Sequence, residues 1–474
     1  MKHTIILTAC FTLLLIHLAT GQSVGVGTTT PNSSAALDIS SNNKGLLMPR
    51  MSSAQRKAIA SPAAGLLVFD TDKSCLFMFD GMNWQPLVFT TLSNLPGIER
   101  VPDSVGTADY FGFSVDVSGD YAVAGAPPDK VNGVARGSAY VFERVNGTWL
   151  QAARLVANDG TVGDDFGYAV SISGDYIAVS APGDNTSVVE DHGSVYIFHR
   201  VGGVWTQEFK IRPGDFAEGD YFGWSVSISG ANLIVGSIGD DNGAVTNTGS
   251  IYFYQRSGTT WTQLNKFYRP GFQADDYFAV TVRMEGDYAI ASCPTANVGA
   301  NVNAGAVCIY VYGGGTWNFQ ANINNPINNT TGFGRAVDIT NNYAVISRTG
   351  GSTGFVYTYQ RTGSTWNYGG QLYNLSVGGG FGLSISLSDN YLLVGDYMNN
   401  RRSCYLYKLH PNTTGWDYVR EISFSSAAVS YEQVLYPPGT DIVAISGDHC
   451  IFGNPIANNN GTQSGNIMFL NVVD

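Results

Sequence analysis

Phe166-Gly167-Tyr168-Ala169-Val170-Ser171-Ile172-Ser173-Gly174-Asp175-Tyr176-Ile177-Ala178-Val179-Ser180-Ala181-Pro182 is the stretch that decides the fold. Phe166 to Ser173 alternates apolar and polar residues, Gly174-Asp175 makes a tight turn, and Tyr176 to Ala181 returns, the pattern of an antiparallel hairpin. After a loop come Ser194-Val195-Tyr196-Ile197-Phe198-His199 and, past the Gly202-Gly203 turn, Trp205 to Ile211. That makes four strands, with no helical period competing. The unit then recurs. Trp149, Trp205, Trp261 and Trp317 are 56 residues apart, and Trp366 and Trp416 follow after 49 and 50. Phe111-Gly112, Phe166-Gly167, Phe222-Gly223, Phe278-Ala279, Phe333-Gly334 and Phe381-Gly382 keep the same step. Four-stranded units repeated at this length predict an all-β protein, a β-propeller of antiparallel blades.

A seventh unit is present in worn form: Ile442 to Ser446, the Gly447-Asp448 turn, Cys450 to Gly453, and Gly465 to Leu470. It lacks a fourth strand. Ile98-Glu99-Arg100-Val101 lies before the first Phe-Gly where Phe209-Lys210-Ile211 lies before Phe222, so this N-terminal strand is expected to complete the seventh blade. Closure matters because an open sheet edge invites pairing with another chain. The ring is expected to run from about Leu95 to Asp474, residues 95–474.

Phe166-Gly167 followed by Ser180-Ala181-Pro182, and Phe111-Gly112 followed by Gly125-Ala126-Pro127, resemble the FG-GAP repeats of the integrin α-chain propeller. The resemblance covers about 380 residues, 95–474, and its later copies decay, as at Ser347-Arg348-Thr349 and Gly395-Asp396-Tyr397. It implies a binding protein of adhesion type. The calcium loops of the integrin blades have no counterpart here. The matching connections are only Ser118-Gly119-Asp120, Ser173-Gly174-Asp175 and Ser388-Asp389-Asn390, and one carboxylate on a tight turn does not supply the six to eight oxygens calcium prefers. Residues 22–90 are a separate, small extended β module. Val24-Gly25-Val26-Gly27-Thr28, Ala36-Leu37-Asp38-Ile39, Lys44-Gly45-Leu46-Leu47-Met48-Pro49-Arg50-Met51 and Gly65 to Asp70 resemble a segment of exported Bacteroidetes surface and fibre proteins. That implies a bacterial chain with a stalk or attachment module that oligomerises, as a trimer in the manner of fibre segments; a tail packed on the propeller is the other reading. A short helix over Ser53 to Ala60 and a hairpin from Leu66 to Leu87 are expected within it.

The net charge is −12, with 13% charged residues and 57 glycines, which argues against a nucleic-acid or anionic-membrane surface. Lys2 and His3 precede an apolar run from Ile5 to Leu18, and Ala19-Thr20-Gly21 offers small residues for cleavage before Gln22, so residues 1–21 read as a signal peptide. Leu7-Thr8-Ala9-Cys10 resembles a lipoprotein box, but the apolar core mostly follows that cysteine. The run is too short for a membrane span. The expected location is secreted or on the outer cell surface. Cys75, Cys293, Cys308, Cys404 and Cys450 form neither a disulfide framework nor a zinc pattern. Cys293 and Cys308 fall on neighbouring strands, leaving a cross-strand disulfide open.

Catalysis has little to stand on. His192, His199, His410 and His449 are scattered over different blades, and no Gly-x-Ser-x-Gly, phosphate loop or His-Glu-x-x-His occurs. No catalytic residue, metal or cofactor is therefore expected. Four long loops, Pro127 to Gly137, Pro182 to Gly193, Ser237 to Gly249 and Pro294 to Gly305, share one face of a propeller, and variable loops on a rigid scaffold are where binding concentrates. An acidic step before each Phe-Gly, Asp109, Asp165, Asp220 and Asp276, joins Asp184, Asp240 and Asp241 on that face. Two readings stay open for these residues: a ring of carboxylates at the channel mouth that recruits a cation or a basic or polyhydroxylated ligand, or Asx caps of their own turns. The recurring tryptophans either stack sugars or pack blade on blade. The expected function is recognition or adhesion, with an extracellular protein or glycan as partner. A lectin-like propeller and, further off, a secreted hydrolase or lyase are the alternatives.

Overall fold

The computed structural model describes residues 24–32, 34–71, 75–79, 81, 84–86, 98–102, 106, 108–131, 133–145, 147–327, 330–349, 353–374, 380–396, 403–410, 415–423, 442–455, 457 and 464–472. Residues 1–21, and with them the signal-peptide reading, lie outside the described residues, as do Leu95 and Asp474. The chain divides into two compact units, with the boundary between Phe89 and Thr90.

In the first unit Val24–Val26 pairs in parallel with Leu37–Ile39. A second sheet runs Arg50–Met51, Leu67–Asp70, Cys75–Phe79, Trp84–Pro86, its first pair parallel and the others antiparallel. The expected hairpin from Leu66 to Leu87 is thus three strands, with Arg50–Met51 added beside the first of them. The helix is shorter than expected, Ser53–Lys57, opened by a capping box between Ser52 and Gln55. Its Arg56 is buried under the sheet, 2.8 Å from the fully buried Asp70 and stacked on Phe77. The Val24 to Ile39 ribbon has no such cover: Val24, Val26 and Leu37 are each more than half exposed, as are Leu46 and Leu47.

The alternation of Phe166 to Ile211 becomes one blade of the second unit: Val170–Ser173, Tyr176–Ala181, Ser194–Val201 and Val204–Ile211, in that order from the axis outward. Among the described residues this unit holds seven such four-stranded antiparallel sheets. The seventh is Val443–Ser446, His449–Asn454, Asn466–Asn471 and then Ile98–Arg100, whose Glu99 stands opposite Met468. Blade 7 then meets blade 1. Phe111 bridges Gly465, Trp149 stacks on Phe469 at 4.4 Å, and Val115, Ile451 and Ile467 share one core.

The outer tryptophans pack between blades. All six are 1 to 9% exposed. Trp205 stands edge-on to Tyr121 of the blade before it, Trp366 to Tyr288 and Trp416 to Tyr343, while Trp317 stacks on Phe253. Arg200 and Arg361 lie over the same tyrosines as their neighbouring tryptophans. Stacking a sugar on these six rings is excluded by their burial.

Each inner strand carries one residue at a common level, Asp116, Ser171, Ser227, Arg283, Asp338, Ser386 and Ala444, all lining the axial cavity, and five of these side chains accept an amide of the next blade. Ser171 accepts from the amide of Ile228 in the next blade, Ser227 from Met284 and Ser386 from Ile445, at 3.0 to 3.1 Å. Arg283 and Ala444 have no acceptor to offer their next blades. In both places the next blade carries an aspartate. Asp338 takes its own Ile339 amide on one oxygen and Leu387 of blade 6 on the other; Asp116 does the same with Val117 and Ile172. Two aspartates therefore close a ring that serines alone would leave open at two amides. Farther along, Ser118, Ser173, Ser229 and Ser446 accept from turn glycines of the following blades.

Cys293 and Cys308 are free and buried. Cys308 stands opposite Ala291 and Cys293 opposite Ala306, so the two are diagonal neighbours. Diagonal positions sit about 7–8 Å apart, too far for a disulfide without backbone movement.

Candidate binding face

The turn before each Phe-Gly repeats one geometry. Asp109 accepts the amide of Gly106, Asp164 that of Thr161 at 2.5 Å, Asp220 that of Ala217 at 2.6 Å and Asp276 that of Gln273 at 2.7 Å. Each carboxylate caps its own turn, and all four side chains are buried. The member of this series in blade 2 is Asp164, which corrects the grouping of Asp165 with Asp109, Asp220 and Asp276. Asp165 takes the next position, where the backbone turns left-handed: φ is +57 there, against +50, +51 and +49 at Tyr110, Tyr221 and Tyr277. Burial first, then the charges of Asp164 and Asp191, push the Asp165 carboxyl up to about 6. Burial likewise lifts Asp220 to about 6, the Ala217 amide opposing and the Asp240 charge assisting.

Asp184 and Asp240 are committed as well. A lysine of the outer strand reaches each: Lys210 at 2.8 Å from Asp184 and Lys266 at 2.6 Å from Asp240. The same lysines hold Asp159 and Asp215, each in the loop that leaves the outer strand of the preceding blade. Burial alone would lower the pKa of the Lys266 ammonium, but Asp215 and Asp240 outweigh it and hold the pKa above its usual value. Blade 1 builds the same knot from Asp129, Tyr140 and Arg154. Asp241 is exposed and accepts the Asn247 amide across its own loop at 2.8 Å. Apart from Asp165, these carboxylates are thus held in separate local knots, and among the described residues no hydrogen bond joins them into a shared ring.

Turn aspartates on the opposite face are paired in the same local way. Asp120 meets Arg144 at 2.6 Å and Asp175 meets Arg200. Among the described residues no three His, Cys, Asp or Glu side chains gather as metal ligands. His199 is half-buried, 3.0 Å from Glu208 and stacked on Tyr176.

A feature that the strand alternation concealed occupies the long-loop end of the channel. The second residue past each phenylalanine of the Phe-Gly pair turns toward the axis in blades 1 to 3: Phe113 and Tyr168 are 5.2 Å apart between ring centroids, Tyr168 and Trp224 4.9 Å. Tyr221 joins Trp224 edge-on. Beside this aromatic group opens a recess of about 470 Å³. Trp224, Tyr277, Thr295, Thr331, Thr349 and Arg335 are among its lining residues. The tyrosines could have been found from the letters: Tyr110, Tyr221 and Tyr277 stand immediately before Phe in blades 1, 3 and 4, a non-glycine residue in a left-handed position. Such strain, about 1–2 kcal/mol per residue, collects at functional sites.

Residues 101–142, 149–198 and 205–254 match the FG-GAP repeat family, and residues 25–98 match the phage tail like trimerisation region. A search of the curated proteins found no match. Among solved structures, a protein from Lactobacillus plantarum is 12% identical, with 75% of this chain and 91% of that one covered and a TM-score of 0.44. Saccharomyces cerevisiae Sqt1 is 8% identical, covering 79% of this chain and 98% of its own, with a TM-score of 0.45. The chain thus carries FG-GAP repeats on an all-β propeller of four-stranded blades, preceded by a phage-tail-like trimerisation region.

Proposed function

We propose that this chain is an extracellular recognition protein of adhesion type that holds its ligand at the long-loop face of the propeller. The observation that carries this reading is the recess beside the aromatic channel mouth. Trp224 and Tyr277 are half-buried there, with apolar faces still open to a partner, and the Ser237 to Gly249 loop beside them is pinned by the Lys266–Asp240 ion pair. Rigid aromatic anchors with adaptable polar neighbours are the composition of recognition surfaces. Binding without chemistry is the simpler reading, since the acidic groups of this face are spent on its own loops. Export rests on the apolar run from Ile5 to Leu18.

The N-terminal unit supports display in several copies. A two-stranded ribbon that leaves Val24, Val26 and Leu37 more than half exposed gains by burying them against other copies, and this segment matches a trimerisation region. A trimer would raise avidity without any new contact at each recess.

The test is retention of the full chain on arrays of purified extracellular proteins and glycans. Trp224→Ala with Tyr277→Ala should abolish the signal, while Glu285→Gln with Asp389→Asn on the other face should leave it. Loss only in the second pair would refute the assignment of the face. Light scattering of Val26→Asp with Leu37→Asp should show monomer where the unaltered chain shows trimer.

A further inference from the structure

We infer that the outer rim of the propeller, where blade 5 faces blade 4, takes a neutral oligosaccharide. It lies along the outer strand of blade 5, with Tyr368 and Tyr373 stacking on sugar rings and Gln371 bonding hydroxyls between them. This site is separate from the long-loop recess.

The first support is a braced row of rings. The outer half of blade 5 is the hairpin of Phe355–Thr362 and Thr365–Tyr373. Tyr368 stands opposite Tyr359, Gln371 opposite Tyr357 and Tyr373 opposite Phe355. All three therefore take the face turned toward blade 4, where Tyr357 and Tyr359 share a core with Ile290, Val307 and Ile309. Ring centroids are 5.8 Å apart for Tyr359 and Tyr368, and 6.0 Å for Phe355 and Tyr373. Arg348 in turn bonds the Tyr357 hydroxyl at 3.2 Å and lies over Phe355. Inner neighbours thus fix two rings that are themselves open to solvent, Tyr368 at 53% and Tyr373 at 49%. A ring already held in place loses little freedom when a ligand covers it. Blades 2 and 3 put Gln207 and Gln263 where Tyr368 stands, and Lys210 and Lys266 where Gln371 stands. Those lysines are committed to Asp184 and Asp240, whereas the Gln371 side chain is exposed.

The second support is charge. The chain carries 37 acidic and 25 basic residues, yet none falls from Tyr288 to Gly334 or from Thr362 to Ser388. These stretches supply the outer strands Thr316–Asn324 of blade 4 and Thr365–Tyr373 of blade 5. Arg361, just before the outer turn, is taken up by the carbonyls of Asn341 and Gly363 and lies over Tyr288. A rim without charge matches a ligand without charge. The large apolar side chains exposed on these two strands are Phe319, Tyr368 and Tyr373, all aromatic. A general apolar contact would show aliphatic groups as well; rings set among amides suit the C–H face and hydroxyl edge of a sugar.

The third support is shape. Tyr368 and Tyr373 are five residues apart on an extended strand, roughly 15 Å, a span for several linked sugars and too long for one. An added peptide strand fits this edge poorly, because a register shift at Thr358 and Tyr359 leaves Gly369 unopposed, and Gly370 takes a φ of +144. The Trp366 indole donates to Gln320 of blade 4 at 2.9 Å, which ties the two sides of the groove together.

Calorimetry on the full chain tests this with neutral hexasaccharides of glucose, xylose, mannose and N-acetylglucosamine, set against their monosaccharides and a galacturonate hexamer. At least one neutral hexasaccharide should bind, with its monosaccharide and the galacturonate at least about 10-fold weaker. Tyr368→Ala and Tyr373→Ala should each weaken binding about 3–10-fold, and together about 10–100-fold, the worth of one and of two stacked rings. Tyr368→Phe keeps the ring and should keep the affinity. Melting curves of the variants should overlay that of the unaltered chain, both rings being exposed. Silence on every neutral hexasaccharide would overturn the proposal, and affinity unchanged in the double variant would overturn the site. Galacturonate bound as tightly as the neutral sugars would overturn the ligand class. Trp224→Ala with Tyr277→Ala should leave the hexasaccharide signal untouched, so the rim and the long-loop recess are judged separately.

Discussion

The two ends of the central channel are built from the same seven inner strands but held by different physics. At the short-turn end, side chains reach from blade to blade: Asp116, Ser171, Ser227, Asp338 and Ser386 each take an amide of the following blade. At the long-loop end, backbone meets backbone. A Cβ on Gly453 would lie 1.9 Å from the carbonyl oxygen of Gly112, and one on Gly125 equally close to that of Gly167. Ser114, Ser225 and Thr281 add hydroxyl bonds to carbonyls of the following blade. The residue before each of them differs from blade to blade, Phe113, Trp224 and Val280, with Tyr168 and Arg335 at the same place in blades 2 and 5.

The largest expected effect comes from removing an aspartate of the closing ring. Asp116→Ala leaves the Val117 and Ile172 amides without their acceptor, and two orphaned buried donors cost about 4 kcal/mol together. Denaturant melts should show that loss; one under about 1 kcal/mol would mean that water replaces the carboxylate. At the other end, Gly453→Ala forces a methyl group into the Gly112 carbonyl and should cost about 2–3 kcal/mol in the same assay. Ser227→Ala frees a single amide, that of Met284, and should cost about 1 kcal/mol, well below Asp116→Ala.

A pH experiment reaches the long-loop side. The Asp220 carboxyl is raised to about 6 in the folded chain from 3.8 unfolded, so the folded state holds the proton more tightly. Stability should therefore rise relative to Asp220→Asn as pH falls from about 7 to about 4, by about 1 kcal/mol. A gap between the two proteins that stays constant across that window would contradict the assignment.

The blades were legible because every one of them solves the same packing problem with the same residues. Tryptophan opens each outer strand from Trp149 to Trp416, and the pairing of Ile98–Arg100 with the last blade followed from a strand missing at one end and spare at the other. The loop aspartates were legible as turn formers, and their neighbours were not. In Asp164-Asp165 two identical letters occupy positions with opposite roles, and backbone φ separates them. Counting back from Phe166 against Tyr221 and Phe222 would have placed Asp165 with the tyrosines. The closing ring was hidden for another reason: Asp116 and Asp338 replace serine only because a different blade carries Ala444 or Arg283, a dependence that spans neighbouring repeats. Trp224 and Arg335 looked like ordinary members of alternating strands, since alternation records which face a residue takes and not what waits there.

The strand that completes the seventh blade has a consequence for how the molecule is made. Glu99 and Asn466, hydrogen-bonded at 3.0 Å, are 367 residues apart. At roughly 5–20 residues per second of synthesis, the early strand waits about 20–70 seconds for its partner. Six blades can pair internally in that interval, but the ring stays an arc with two bare ends, and the last step is a single long-range capture. Ribosome-stalled chains ending before Asn466 should accordingly be digested at residues 98–101 long after the middle blades resist protease.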